Sequence, residues 1–325
     1  MCTAVTYKTK NFYFGRNLDL DYTYNEQIVI TAREFPLKFR EKATIESHFA
    51  IIGMAIVVED YPLYYDAMNE MGLCMAGLSF PYYAHYEKSK DNVDNIASFE
   101  LIPWILGQCK NLGEAKGLIK KINITDTPFS KDFPPSPLHW IIADKTGAIT
   151  VEAVGDGLKI YDNKIGILTN SPEFNVQMIN LNNYMGLSAK EAENRISPEI
   201  DFKPYTKGMG AIGLPGDLSS MSRFVKASFA KLNSVSGESE AESVTQFFHI
   251  LGSVYQPRGC VKTGEDKYEI TYYSSCCNTD KGIYYYTTYS NPCVCGVSIF
   301  TENLDTNKYY CYPLQKQLTI KMQNS

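Results

Sequence analysis

Met1-Cys2-Thr3-Ala4-Val5-Thr6-Tyr7 opens the chain, the polar run Lys8-Thr9-Lys10 turns it, and Asn11-Phe12-Tyr13-Phe14-Gly15-Arg16-Asn17 carries it back. Residues 2–7 and 11–17 read as the two strands of a hairpin. The small side chain of Cys2 makes Met1 a substrate for removal. Excision would leave a thiol and an α-amine on one residue, and such an amine can act as the base for its own side chain. The return strand runs on into Leu18-Asp19, so Arg16 and Asp19 come within a few residues of Cys2, with the register open to a residue or two. A guanidinium beside a thiol favours thiolate and disfavours ammonium, keeping the amine available as base. Asp19 is placed to accept a hydrogen bond from that amine. The alternative is an Arg16–Asp19 surface ion pair worth at most ~1 kcal/mol; the nearby Cys2 argues for the chemical reading.

Outward from this hairpin the chain reads mostly as strands. Residues 27–33 and 48–58 are extended, and 64–69 with 73–79 flank the turn Glu70-Met71-Gly72. Residues 138–143 and 149–154 flank Asp144-Lys145-Thr146-Gly147, a second strong turn, and 158–161 and 165–169 follow. Helical spacing appears at 98–108, where Pro103 marks the first turn or a kink, and at 113–122. It returns at 222–232, with Val225, Phe229 and Leu232 on one face after the N-cap candidates Ser219 and Ser220, and at 243–254, with Val244, Phe247, Phe248 and Leu251. Residues 268–275, 283–289 and 297–301 are strands again. Strand blocks separated by helix pairs predict an α+β layered sandwich. The 325 residues exceed the usual single-domain size. β-rich layered folds reach that length, and no repeat or linker divides the chain, so 1–325 reads as one domain. The long irregular piece 182–214 reads as an inserted arm that packs on another subunit, with a surface excursion as the alternative.

The net charge of -5 and a pI of about 5.5 provide no basic patch for nucleic acid and no polybasic run for an anionic membrane. No apolar run reaches the ~18 residues of a membrane span, and the start lacks the features of a secretory leader. Nine cysteines, an odd number, point to free thiols in a reducing, cytoplasmic compartment. Cys276, Cys277, Cys293 and Cys295 lack zinc-type spacing and read as structural thiols, so no metal or other cofactor is expected.

The residues Met1-Cys2-Thr3, Phe14-Gly15-Arg16-Asn17-Leu18-Asp19, Asp66-Ala67-Met68-Asn69-Glu70, Leu168-Thr169-Asn170-Ser171-Pro172, Leu214-Pro215-Gly216-Asp217 and Ser222-Arg223-Phe224 span most of the chain. In that order and company they resemble the choloylglycine hydrolase family, the bacterial conjugated bile salt hydrolases and the penicillin V acylases, with the bile salt branch nearer. The resemblance implies a four-layer αββα sandwich of the N-terminal nucleophile hydrolase type and a homotetramer bridged by the arm. It implies Cys2 as nucleophile with its own amine as base, Arg16 and Asp19 flanking it, Asn170 donating its side-chain amide to an oxyanion, and Arg223 stabilising the site. Glycine- and taurine-conjugated bile salts, of the glycocholate and taurocholate type, would be cleaved to free bile acid and amino acid.

One position departs from the family. Gly77-Leu78-Ser79-Phe80 carries Ser79 where many bile salt hydrolases have Asn. The family's second oxyanion donor is the backbone N–H here, which survives a side-chain change. The segment 126–135, stiffened by prolines, offers Phe129 and Phe133 as an apolar wall, and Leu18 and Tyr65 are further candidates for substrate contact; the alternative is that these aromatics fill the core. His139, on an apolar strand, reads as a hydrogen-bonded core histidine rather than the partner of a papain-type cysteine. Penicillin V acylase remains the rival activity, and an inactive oligomeric binding protein on the same fold the rival outside enzymes.

Overall fold

A computed structural model describes residues 1–324. Two antiparallel sheets face one another. The first runs in the order Ile167–Leu168, Cys2–Lys8, Phe12–Leu20, Ile270–Asn278, Ile283–Thr288, Cys295–Ser298. The second runs Gly157–Asp162, Gly147–Val154, Leu138–Asp144, Cys74–Ser79, Tyr61–Asn69, Ile51–Val58, Gln27–Thr31, Tyr309–Pro313. Helices Ser220–Asn233 and Glu240–Gly252 cover the outer face of the first, and Leu101–Gln108 and Leu112–Ile119 that of the second. This is the four-layer αββα sandwich expected from the sequence.

Strand alternation builds the layers. Cys2, Ala4, Phe12 and Phe14 point inward and meet Ile28, Ile30, Ile52 and Met54 of the facing sheet. Val5, Tyr7 and Tyr13 point outward to Val244, Phe247 and Leu251. On the far side Val29, Ile51 and Ala55 meet Leu101, Ile105 and Leu106. A one-residue slip of the first hairpin would exchange its two faces, and each buried aliphatic or aromatic side chain contributes about 1.5–3 kcal/mol. Both facing cores therefore hold the register. Gly15 is required within the second strand, because a Cβ there would run into the carbonyl of Ser275.

Several local expectations shift. The helix read at 113–122 is Leu112–Ile119. It closes through Lys121 N–H to Leu118 O, and the β-branched stretch Ile122–Thr125 becomes a strand parallel to Asp94–Ala97. In Ser220–Asn233 the stripe is not Val225, Phe229 and Leu232: Leu232 is 66% exposed, and Phe224, Val225, Ala227 and Ser228 are buried. The buried Arg223, reaching toward Cys2, sets that helical rotation. Ser219 is the N-cap, accepting from Ser222 N–H. A helix at Phe174–Leu181 has no local cap signal; its first N–H is taken by the Glu152 carboxylate, a distant strand residue. The strand read at 165–169 shrinks to Ile167–Leu168.

Candidate active site

Cys2 pairs with Leu18 and Ala4 with Arg16. Directly opposed residues share a face, so the thiol and the guanidinium both enter the space between the sheets. Asp19 lies one step past Leu18, where its N–H donates to Met1 O at 2.9 Å. Its side chain turns to the opposite face, accepting from Thr271 Oγ1 at 2.7 Å. Arg16 and Asp19 are both fully buried, so a surface ion pair is ruled out. Burial raises the Asp19 carboxyl above its ordinary range, and the charges of Arg223, the chain terminus and Arg16 partly offset the rise.

Arg16 sits at a fork. The strands Tyr61–Asn69 and Cys74–Ser79 pair only across Asp66/Ala76, Ala67/Met75 and Met68/Cys74. Beyond that they part, each keeping its outer neighbour. Arg16 Nη1 donates into the gap, to Gly77 O at 2.5 Å and Tyr65 O at 3.2 Å. Nη2 has no hydrogen-bond partner among the described residues. Asp66 supplies a buried carboxylate nearby, accepting from Tyr273 Oη, from Ser275 Oγ at 2.9 Å and from Tyr284 Oη at 2.7 Å. Burial alone would pull the Arg16 pKa down. The negative charge that Cys2, Tyr273, Asp66 and Asp19 can carry outweighs it, and the guanidinium stays firmly protonated.

Asn170 closes the other side. Its Oδ1 accepts from the Cys2 backbone N–H at 2.8 Å and from Arg223 Nη2 at 2.6 Å. Two donors on one atom fix the amide's orientation, and Nδ2 then donates one hydrogen to Ser79 O at 2.7 Å. Arg223 also reaches Cys2 O at 2.5 Å and Thr3 Oγ1 at 2.6 Å. Burial lowers its pKa, opposed by Asp19 and Cys2. The ladder decides where the backbone of Ser79 points. Phe80 N–H donates to Pro137 O at 2.8 Å, and successive residues of an antiparallel strand face alternate edges. The N–H and C=O of Ser79 therefore project to the open edge of the fork, where Asn170 already meets the carbonyl.

A cavity of about 340 Å³ leads away from Cys2. Of the residues singled out from sequence, Cys2, Arg16, Leu18, Tyr65, Ser79, Phe129 and Phe133 line it; Asp19, Asn170 and Arg223 stand behind Cys2. The wall 126–135 is held by Phe129 N–H to Phe133 O at 3.1 Å. Arg40 donates from Nη2 to Phe129 O at 2.7 Å and lies 5.0 Å from the Phe129 ring centroid. Sequence reading missed Tyr22, Tyr24, Phe99, Ile102 and Trp140, which also line the cavity. Tyr22 and Tyr24, in a polar loop directly after Asp19, carried a usable signal: their rings meet edge-on at 4.9 Å, and Tyr24 lies 5.9 Å from Phe133. Ile102 and Trp140 sit in periodic apolar stretches and carried none.

His139 is a hydrogen-bonded core histidine, as read from the sequence. The cysteines are free thiols, and among the described residues no cluster of three His, Cys, Asp or Glu could hold a metal ion. No described helix is long and apolar enough to cross a membrane.

Known proteins resemble this chain in sequence and in fold. The family model described as linear amide C–N hydrolases, choloylglycine hydrolase family, matches residues 2–312. The chain is 54% identical over 317 residues to a bile salt hydrolase/transferase of Lactiplantibacillus plantarum, covering 98% of each chain. The crystal structure of the C2A mutant of the conjugated bile acid hydrolase of Clostridium perfringens superposes with a TM-score of 0.92 at 36% identity, covering 100% of both chains. Penicillin V acylase of Agrobacterium tumefaciens shares the fold, with a TM-score of 0.73 at 18% identity over 95% of this chain and 90% of that one.

Proposed function

The chain belongs to the choloylglycine hydrolase family of linear amide C–N hydrolases, and from that premise we propose that it cleaves the amide bond of glycine- and taurine-conjugated bile salts, with Cys2 as nucleophile. The observation that carries this reading is that Cys2 and Arg16 line one largely apolar cleft of about 340 Å³, a volume at the lower end of small-molecule pockets, while Asn170 bonds the Cys2 nitrogen from behind.

In the proposed reaction Met1 has been removed and the nitrogen that bonds Asn170 Oδ1 at 2.8 Å is the α-amine. It takes the Cys2 thiol proton while sulfur adds to the amide carbonyl. The second hydrogen of Asn170 Nδ2 and the Ser79 N–H, both at the fork, receive the oxyanion. Losing one such donor costs roughly 10²–10³ in rate. The tetrahedral species collapses as the C–N bond breaks and the α-ammonium protonates the departing glycine or taurine nitrogen. Water then adds to the thioester, its proton passing to the same amine, and sulfur leaves as bile acid is released. Arg16 and Arg223 balance the negative charge, Asp19 orients the amine, and Leu18, Tyr65, Phe129 and Phe133 hold the steroid.

We place the enzyme in the cytoplasm as a single-domain homotetramer, on the support of its free cysteines and the arm 182–214. The arm exposes Met185, Ile196, Phe202 and Tyr205, apolar side chains that a second subunit would cover. Deleting the arm is expected to lower the mass read by light scattering. The decisive assay compares taurocholate, glycocholate and penicillin V on protein shown by intact mass to begin at Cys2. Faster turnover of the bile salts supports the reading, faster turnover of penicillin V replaces it with the acylase, and no turnover of any leaves a binding protein.

A further inference from the structure

The loop that carries Asn170 is tied down on several sides, and one tie is a buried histidine that the proposed chemistry does not use. His139 is fully buried and stacks on Phe80 with ring centroids 4.2 Å apart. Its Nε2 lies 2.9 Å from the backbone oxygen of Thr169, and its Nδ1 lies 2.9 Å from Glu152 Oε1. A backbone carbonyl only accepts, so Nε2 is the donor to Thr169 O, while Nδ1 faces the carboxyl of Glu152, whose Oε1 also accepts from Phe174 N–H at 3.0 Å.

We propose that His139, held between Glu152 and Thr169, is a positioning residue that sets the Asn170 amide for the oxyanion. The inference rests on the assignment of Asn170 above. The peptide that His139 grips is the one entering Asn170. Its other anchors converge on the same residue: Asn170 N–H donates to Ser220 Oγ at 2.9 Å, and Gln177 Nε2 donates to Asn170 O at 3.2 Å. Glu152 serves both arms of this clamp, because it pairs with His139 and also caps the helix Phe174–Leu181 that carries Gln177. Side chains from a strand and two helices thus fix a loop residue whose own backbone has no ladder to hold it. Buried and bonded on both nitrogens, His139 itself makes no hydrogen bond to Cys2 among the described residues.

The test is a double-mutant cycle of His139→Phe, which keeps the stack on Phe80, with Asn170→Ala. His139→Phe is expected to lower kcat by roughly 10–10²-fold, the scale of a misplacement of about 1 Å, with KM changed less than about twofold. In the Asn170→Ala background the same substitution should change kcat by no more than about twofold, because sites that act through one group are not additive. Equal loss in both backgrounds, or a lowered Tm with unchanged kcat, overturns the positioning role. Wild-type kcat in Asn170→Ala alone instead overturns the oxyanion assignment, and this proposal with it. Should His139→Phe fail to fold, Gln177→Leu releases the other arm without stranding a charge, and the same cycle decides.

Discussion

Arg16 Nη1 lies 2.5 Å from the carbonyl oxygen of Gly77, a bond that crosses from one sheet to the other and occupies the gap where two strands part. The same guanidinium offsets the buried Asp66 and faces Cys2. Its structural and chemical roles separate by mutation. Arg16→Met leaves Asp66 uncompensated and is expected to cost about 3–5 kcal/mol in urea unfolding, together with most turnover. Arg16→Met combined with Asp66→Asn should regain much of the stability and none of the turnover. Turnover returning with stability would mean that Arg16 serves only the fold.

With Met1 present, the nitrogen of Cys2 is an amide that donates to Asn170 Oδ1 and has no basic lone pair to offer. Activity per mole should therefore track the fraction of chains that begin at Cys2, read by intact mass against turnover. Cys2→Ala should abolish hydrolysis and leave Tm within a few degrees, as a small buried change costs little. Full activity in chains that retain Met1 would end the assignment of the amine as base.

Phe133 closes the cleft against Tyr24 and lies 6.2 Å, edge-on, from Phe129. Phe133→Ala removes apolar contact worth about 1.5–3 kcal/mol without touching the reacting atoms. The expected result on taurocholate is a KM raised about tenfold or more with kcat nearly unchanged. A fall confined to kcat would place Phe133 outside the steroid wall.

Burial lowers the Lys231 ammonium to about 8 from its ordinary 10.5, with Nζ 2.9 Å from Thr6 Oγ1 and 2.5 Å from Ile165 O. Below about 8 both folded and unfolded chains hold the proton, and the folded chain bears the full cost of the buried charge. Between about 8 and 10.5 the unfolded chain binds more protons, so the unfolding free energy from this group rises with pH. The stability of Lys231→Met relative to the unaltered chain should therefore decline across that window, as followed by urea denaturation. A difference independent of pH would assign Lys231 an ordinary titration.

Some of the site was legible because its logic is local. Two strands around a polar turn bring Cys2, Arg16, Leu18 and Asp19 together whatever the rest of the chain does, and the strand blocks alternating with helix pairs announced the layers. Leu232 was misread because three apolar residues at helical spacing do not say which side the helix turns inward; the pull of Arg223 toward Cys2 O does. Ile102 and Trp140 escaped notice because a cavity wall and a packed core use the same residue types.

The sequence by itself placed Cys2 directly after Met1, where excision would give the thiol an amine of its own, since covalent adjacency needs no fold. Tertiary structure alone decided that Cys2 stands opposite Leu18, that the strands beside Arg16 part, and that Asn170, 168 residues away, meets the Cys2 nitrogen. The physical reason is range. Alternation and turn chemistry act over a few residues, whereas register, forks and captured amides follow from burying both faces of a sheet at once against distant parts of the chain.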